Sequence, residues 1–272
     1  MIMQIEKSEI GKRVFGTIMA FVFCWVHPAV ARAQDADLAK KLSNPLAAMI
    51  SVPFQFNYNQ GYGTADGDQL LLNIQPVIPI SLNDEWNLIS RTIVPVIYQH
   101  DTAGFSGSQF GLGDITESLW FSPVDPTSFG LIWGVGPIIY LPTSTDPLLG
   151  AGVWGAGPTV VLLTQKGPWT IVGLGNHIWS FGDDTINSTF LQPILNYTTP
   201  SAWTFGLNTE TTYNWTTNEW SVPINATISK LVNIGGQPVS LQGGVRYYAE
   251  SSTGGADGWG GRLTVTLLYP KK

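Results

Sequence analysis

Cysteine occurs once, at Cys24, so no disulfide framework can hold this chain together. Charge is scarce too. Lys, Arg, Asp and Glu make up 12% of 272 residues, about half the usual share. The balance is acidic, with a net charge of −6 and a pI near 4.9, which excludes the basic footprint of a nucleic-acid partner. Histidine appears three times, at His27, His100 and His177, and no two have the spacing of metal ligands. No metal site or cofactor is therefore expected. After the first thirty or so residues no apolar run approaches the ~20 residues of a membrane-spanning helix, so any later crossing would have to be β. Aromatics, by contrast, are plentiful, with 11 Trp, 9 Tyr and 12 Phe, which excludes a disordered chain.

The N-terminus reads as a targeting segment. Lys7, Lys12 and Arg13 precede the apolar stretch VFGTIMAFVFCWV at 14–26, and Ala31-Arg32-Ala33 follows as a small-x-small cleavage signal. The stretch is too short to span a bilayer, which favours a leader over an anchor helix. The expected organisation is a signal peptide at 1–33, a periplasmic or plug segment at 34–45, and a barrel from 46 to 272. Within the second segment, DADLAKKL at 35–42 has helical character and is stopped by Asn44-Pro45.

Beyond it the pattern alternates. In ISVPFQFNYN, at 50–59, every second residue is apolar, as in a strand with two unlike faces. About twelve such strands are expected, at 46–59, 69–82, 86–100, 111–123, 130–143, 153–165, 169–181, 188–198, 203–215, 220–232, 239–249 and 259–270. They exceed the usual length of five or six residues, and no helix interrupts them, so there is no βαβ unit. Long Gly-, Ser- and Asp-rich connections alternate with shorter ones, as in outer-membrane barrels. Prolines 53, 76, 79, 95, 193 and 223 fall within these strands and predict bulges or local breaks.

Two features distinguish a barrel in lipid from a soluble sandwich. First, the polar face carries amides and hydroxyls, such as Gln55, Asn57, Asn73, Gln75, Asn208, Asn225 and Thr227. A soluble surface would carry ~25–35% charged residues. Second, Trp86 and Tyr98, Trp203 and Tyr213, and Trp259 and Tyr269 share strand faces at spacings that project to roughly 26–31 Å along a tilted barrel axis. The apolar band of an outer-membrane barrel is ~25 Å tall. Unpaired backbone is intolerable in hydrocarbon, so the sheet must close. The expected fold is all-β: a transmembrane up-and-down antiparallel β-barrel of about twelve strands with a short N-terminal helix.

WGVGP at 133–137 recurs as WGAGP at 154–158. Neither copy opens a helix, so close packing of strands explains the glycines better than a nucleotide site. With GLGDITESLWFSP at 111–123, Pro142-Thr143, QPILNY at 192–197 and WSVPINATISK at 220–230, these motifs resemble the outer-membrane channel family named for the MetA pathway of phenol degradation. The resemblance covers nearly the whole mature chain. It implies a transporter-like barrel that moves small solutes, aromatic or hydrophobic compounds among them. The tail Pro270-Lys271-Lys272 departs from the usual terminal aromatic.

Catalytic chemistry is not expected. Gly-x-Ser-x-Gly is absent, and His177 and Ser180 fall on opposite strand faces. By parity Arg91, Asp114, Glu210, Arg246 and Arg262 face the lumen, either to set ion selectivity or to brace the interior by pairing. Glu117 shares the lipid-directed face of Ile115, Leu119 and Phe121, unless a bulge at 111–113 turns it inward or another subunit covers it. Parity leaves the direction of His177 open. These readings point to a passive channel in the outer membrane of a Gram-negative cell, with membrane lipid and a small solute as partners. The alternative is a non-conducting barrel, either structural or adhesive, or a lipid hydrolase.

Overall fold

The structure, a computed structural model, describes residues 33–182 and 185–270. The expected leader lies outside them, apart from Ala33, which opens helix α1 (Ala33–Leu42). Twelve staves follow. They are β1 (Met49–Tyr62), β2 (Gly67–Ile74 and Val77–Ser81), β3 (Trp86–His100), β4 (Ser108–Leu112 and Ile115–Pro123), β5 (Leu131–Leu141) and β6 (Gly155–Lys166). The circuit continues through β7 (Trp169–Ser180), β8 (Asn187–Thr198), β9 (Trp203–Thr209 and Thr211–Asn214), β10 (Glu219–Ser221 and Pro223–Ile234), β11 (Gln237–Tyr248) and β12 (Gly258–Pro270). Each pairs antiparallel with its chain neighbour, and β12 pairs with β1 from Met49↔Pro270 to Tyr58↔Gly261. The barrel is closed. Both ends of the sheet therefore lie at one mouth, the terminal mouth, and the longer connections gather at the other, the loop mouth.

Alternation has the predicted outcome for the outer surface. Leu162, Ile171, Leu191, Phe205 and Leu207 are exposed on it. Aromatics ring both ends of this belt. Trp86 packs edge-on against Trp133 (5.9 Å) and Trp169 against Tyr197 (4.9 Å) at the terminal mouth. Tyr213 packs on Trp215 (4.8 Å) and Trp220 (4.6 Å), and Tyr247 on Trp259 (5.0 Å), at the loop mouth. Amphipathic rings suit a boundary between oil and water.

The prolines divide into two groups. Pro76 and Pro223 mark true interruptions, between the segments of β2 and of β10. Pro53, Pro95 and Pro193 sit inside unbroken staves, against the expectation of local breaks. A proline lacks the N–H but keeps its carbonyl. Pro53 O still accepts from Gln75 N and Pro95 O from Gly113 N, each at 2.9 Å.

Candidate functional site

The lumen has two unlike sides. On one side, Glu210 of β9 reaches across to β11 and β12. Its Oε2 accepts from Arg246 Nη2 at 2.5 Å and from Arg262 Nη2 at 2.8 Å. Further donors of both guanidinium groups find partners as well. Arg246 Nε donates to Asn225 Oδ1 (2.8 Å) and Nη1 to Asn59 Oδ1 (3.1 Å). Arg262 Nε donates to Asn57 Oδ1 (2.8 Å). Arg246, Arg262, Asn57 and Asn225 are almost wholly shielded. Charges so placed must be paired and hydrogen-bonded to be tolerated; parity turns those partners inward, and the register of β1, β10, β11 and β12 brings them to one level. Gln55 lies between Gln75 and Arg262, with its carboxamide oxygen turned to the guanidinium at 2.7–2.9 Å, as an all-donor group requires. Arg91 Nη2 donates to Gln75 Oε1 at 2.6 Å, and Arg91 is close enough to interact electrostatically with Glu210.

The structure therefore brings four of the five sequence-selected charges, Arg91, Glu210, Arg246 and Arg262, into one network. Asp114 stands apart. It lies at a break in β4, where Phe110 and Phe121 both point outward although they differ in parity. Its carboxylate accepts from Thr143 N (3.0 Å), Ser144 N (2.9 Å), Gly152 N (2.9 Å) and Tyr140 Oη (2.9 Å). Asp114 is the clasp of the connection between β5 and β6. That connection also meets the lumen through Leu148 O, which accepts from Gln99 Nε2 at 3.0 Å. Gln99 belongs to a ladder of amides running from Asn59 through Gln69 to Gln109.

The opposite side is apolar. Ile89, Trp120, Val161, Leu163, Val172 and Leu174 form one buried cluster, with Phe190 and Ile194 packed against it. Leu46, which precedes β1, belongs to the same cluster. Gly134 leaves the space it needs, since a Cβ there would stand 3.1 Å from both Leu46 and Trp120 side chains. At Gly136 a Cβ would fall 1.8 Å from Leu119 O. The first WGxGP copy is thus a packing device. Trp120 Nε1 donates to Thr159 Oγ1 at 3.1 Å, so the buried indole is satisfied.

The N-terminal segment fills the terminal mouth. Leu38, Ala39, Leu42 and Ala47 pack on Met49, Ala202, Leu231 and Leu268. Gln165 Nε2 donates to Lys40 O at 2.9 Å. Between this plug and the two sides of the lumen lies a cavity of about 210 Å³. Arg91, Gln75, Gln192 and Asn196 give it polar edges, while Val77, Leu174 and Ile194 give it an apolar wall.

The two residues left open by parity both lie on the outer surface. Glu117 accepts from Ser90 Oγ and Thr92 Oγ1, each at 2.6 Å, so it is not turned inward. Cross-strand pairing sets Glu117 directly opposite Thr92. Parity alone does not reveal that two hydroxyls wait there. His177 Nδ1 lies 2.7 Å from Thr189 Oγ1, which also accepts from Trp215 Nε1 at 2.8 Å. Among the described residues no three His, Cys, Asp or Glu side chains gather as a metal site.

No protein-family model matches this chain, and no curated protein matches it. Solved structures do. An outer membrane channel from Pseudomonas putida F1 superposes with a TM-score of 0.62 at 14% identity, covering 82% of this chain and 96% of that one. Outer membrane phospholipase A from Escherichia coli superposes with a TM-score of 0.50 at 12% identity, covering 81% and 92%. The fold is that of outer-membrane barrels. At such identities, nothing finer than the fold carries across.

Proposed function

We propose that this chain is an outer-membrane channel for passive passage of small solutes, aromatic or hydrophobic compounds among them, exported by the leader at 1–33 and narrowed at its periplasmic mouth by the segment at 34–45. This is the reading that the resemblance to the MetA-pathway phenol-degradation family also favours. The observation that carries it is the closed barrel itself, with a belt of aliphatics between two aromatic rings outside and an amide- and arginine-lined interior with free volume. Such an exterior suits hydrocarbon, and such an interior suits a confined polar path. Arg91, Glu210, Arg246 and Arg262 would set the charge of that path, and Asp114 would hold the connection between β5 and β6 at its outer end.

Purified protein in a planar bilayer should give discrete current steps, and a variant lacking 34–45 should give larger ones. Electrical silence from both proteins, with no solute-induced liposome swelling, would overturn the channel reading.

A second reading, a barrel that does not conduct and hydrolyses lipid, is favoured by one observation. Thr189 and His177 form a hydroxyl–imidazole pair on the outer surface. Nucleophile chemistry also wants a third group to orient the base. His177 Nε2, however, is buried without a hydrogen-bond partner. Fatty-acid release from phospholipid vesicles that disappears in Thr189→Ala would establish this reading.

A further inference from the structure

Three guanidinium groups share the network around Glu210, and one carboxylate serves them. That carboxylate is spent on Arg246 and Arg262, both in direct salt bridges. The other inward carboxylate, Asp114, is occupied by backbone N–H groups of its own connection. Arg91 is left with a neutral partner, Gln75, through a single donor. Among the described residues no carboxylate forms a salt bridge with it. A guanidinium carries five donors, and a cation away from bulk water is costly without a counter-charge. Arg91 also borders the cavity beneath the plug. Its volume of about 210 Å³ is roughly that of seven liquid waters. Val77, the cross-strand neighbour of Arg91, lines the cavity with Leu174 and Ile194, and these three offer nothing to a second polar group, while Gln192 and Asn196 border them as polar edges.

We infer that this cavity is a binding site for a small organic anion, with the acid group taken by Arg91 and Gln75 and an apolar body laid against Val77, Leu174 and Ile194. The inference rests on the channel reading insofar as the ligand is a passing solute, but the site stands or falls on binding alone. The charge-assisted pairing of a cationic side chain with the carboxylate supplies the selectivity for acid over amide. The aliphatic wall supplies the preference for a ligand with a hydrocarbon tail.

The test is calorimetric titration of the full-length protein in lipid nanodiscs, with empty nanodiscs as reference. The probes are pentanoate, its neutral isostere pentanamide, and acetate. Pentanoate should bind at least tenfold more tightly than pentanamide and at least fivefold more tightly than acetate. Arg91→Met should abolish the preference for the acid, and Arg91→Lys should keep most of it. Heat-dependent gel mobility checks that each variant is folded, and if Arg91→Met fails to fold, the wild-type ratios and Arg91→Lys decide. Equal binding of acid and amide, equal binding of acetate and pentanoate, or no binding of pentanoate would overturn the site. Pentanoate binding in a protein that passes no current would remove the channel reading and leave the site. Current without pentanoate binding would do the reverse.

Discussion

The side of the lumen built by β9–β12, β1 and β2 is held by charge and amide, the side built by β4–β8 by hydrocarbon, and β3 gives Arg91 to the first and Ile89 to the second. On the first, Glu210, Arg246 and Arg262 satisfy one another and leave little latitude, because each guanidinium is also fixed by an asparagine. On the second, Trp120, Val161 and Leu163 pack without direction around Leu46. The difference teaches how a short segment can be seated in a barrel. The apolar side holds Leu46 through dispersion and exclusion of water. The polar side is held by its own ion pairs and hydrogen bonds, with no contribution from the N-terminal segment. The cavity lies where the two chemistries meet.

Glu210→Leu is the severest way to break this comparison. It strands two buried guanidinium groups and should cost about 3–5 kcal/mol, read as a lower urea midpoint for unfolding from lipid. An unchanged midpoint would show that the polar side does not brace the wall. Leu46→Ala acts on the apolar side and should cost about 2–3 kcal/mol, at the lower part of the range for a buried leucine, because the plug can leave without opening the sheet. The barrel midpoint should hold while single-channel current rises. A fallen midpoint with unchanged current would place Leu46 in the wall's own stability instead. The smallest effect belongs to the outer surface. Glu117→Gln retains an acceptor for Ser90 and Thr92 and should change stability by no more than about 1 kcal/mol. A larger loss would mean that the ionised carboxylate is needed there.

Much of this was legible beforehand. The parity of ISVPFQFNYN predicted the two faces of β1 over 50–59, and the Trp86–Tyr98, Trp203–Tyr213 and Trp259–Tyr269 spacings predicted the two aromatic rings. A period of two is set by backbone geometry and holds until a bulge or break resets it, as between Gln60 and Tyr62 and within β4. Legibility failed where partners come from distant staves. Glu210 and Arg262 are 52 residues apart, and Asn59 and Arg246 187 apart. Parity shows that they face inward, but not that they meet at one level. Glu117 is instructive: parity set it on the lipid-directed face but left an inward turn open, and Ser90 and Thr92, the groups that make that face tolerable, depended on cross-strand register. The direction of His177 had to await the structure, since both faces of β7 carry large apolar side chains.

By itself the sequence determined that the chain forms long antiparallel strands, that they close, and, along unbroken staves with one apolar face, which side chains look out or in. Alternation and the ban on open backbone in oil act locally, residue by residue. Only the tertiary structure decided that one side of the lumen is charged and the other greasy, that Leu46 packs into the greasy side, and that Arg91 is left facing a cavity. Those outcomes depend on the stagger between staves and on which segment fills the middle of a closed ring, and no single strand encodes either.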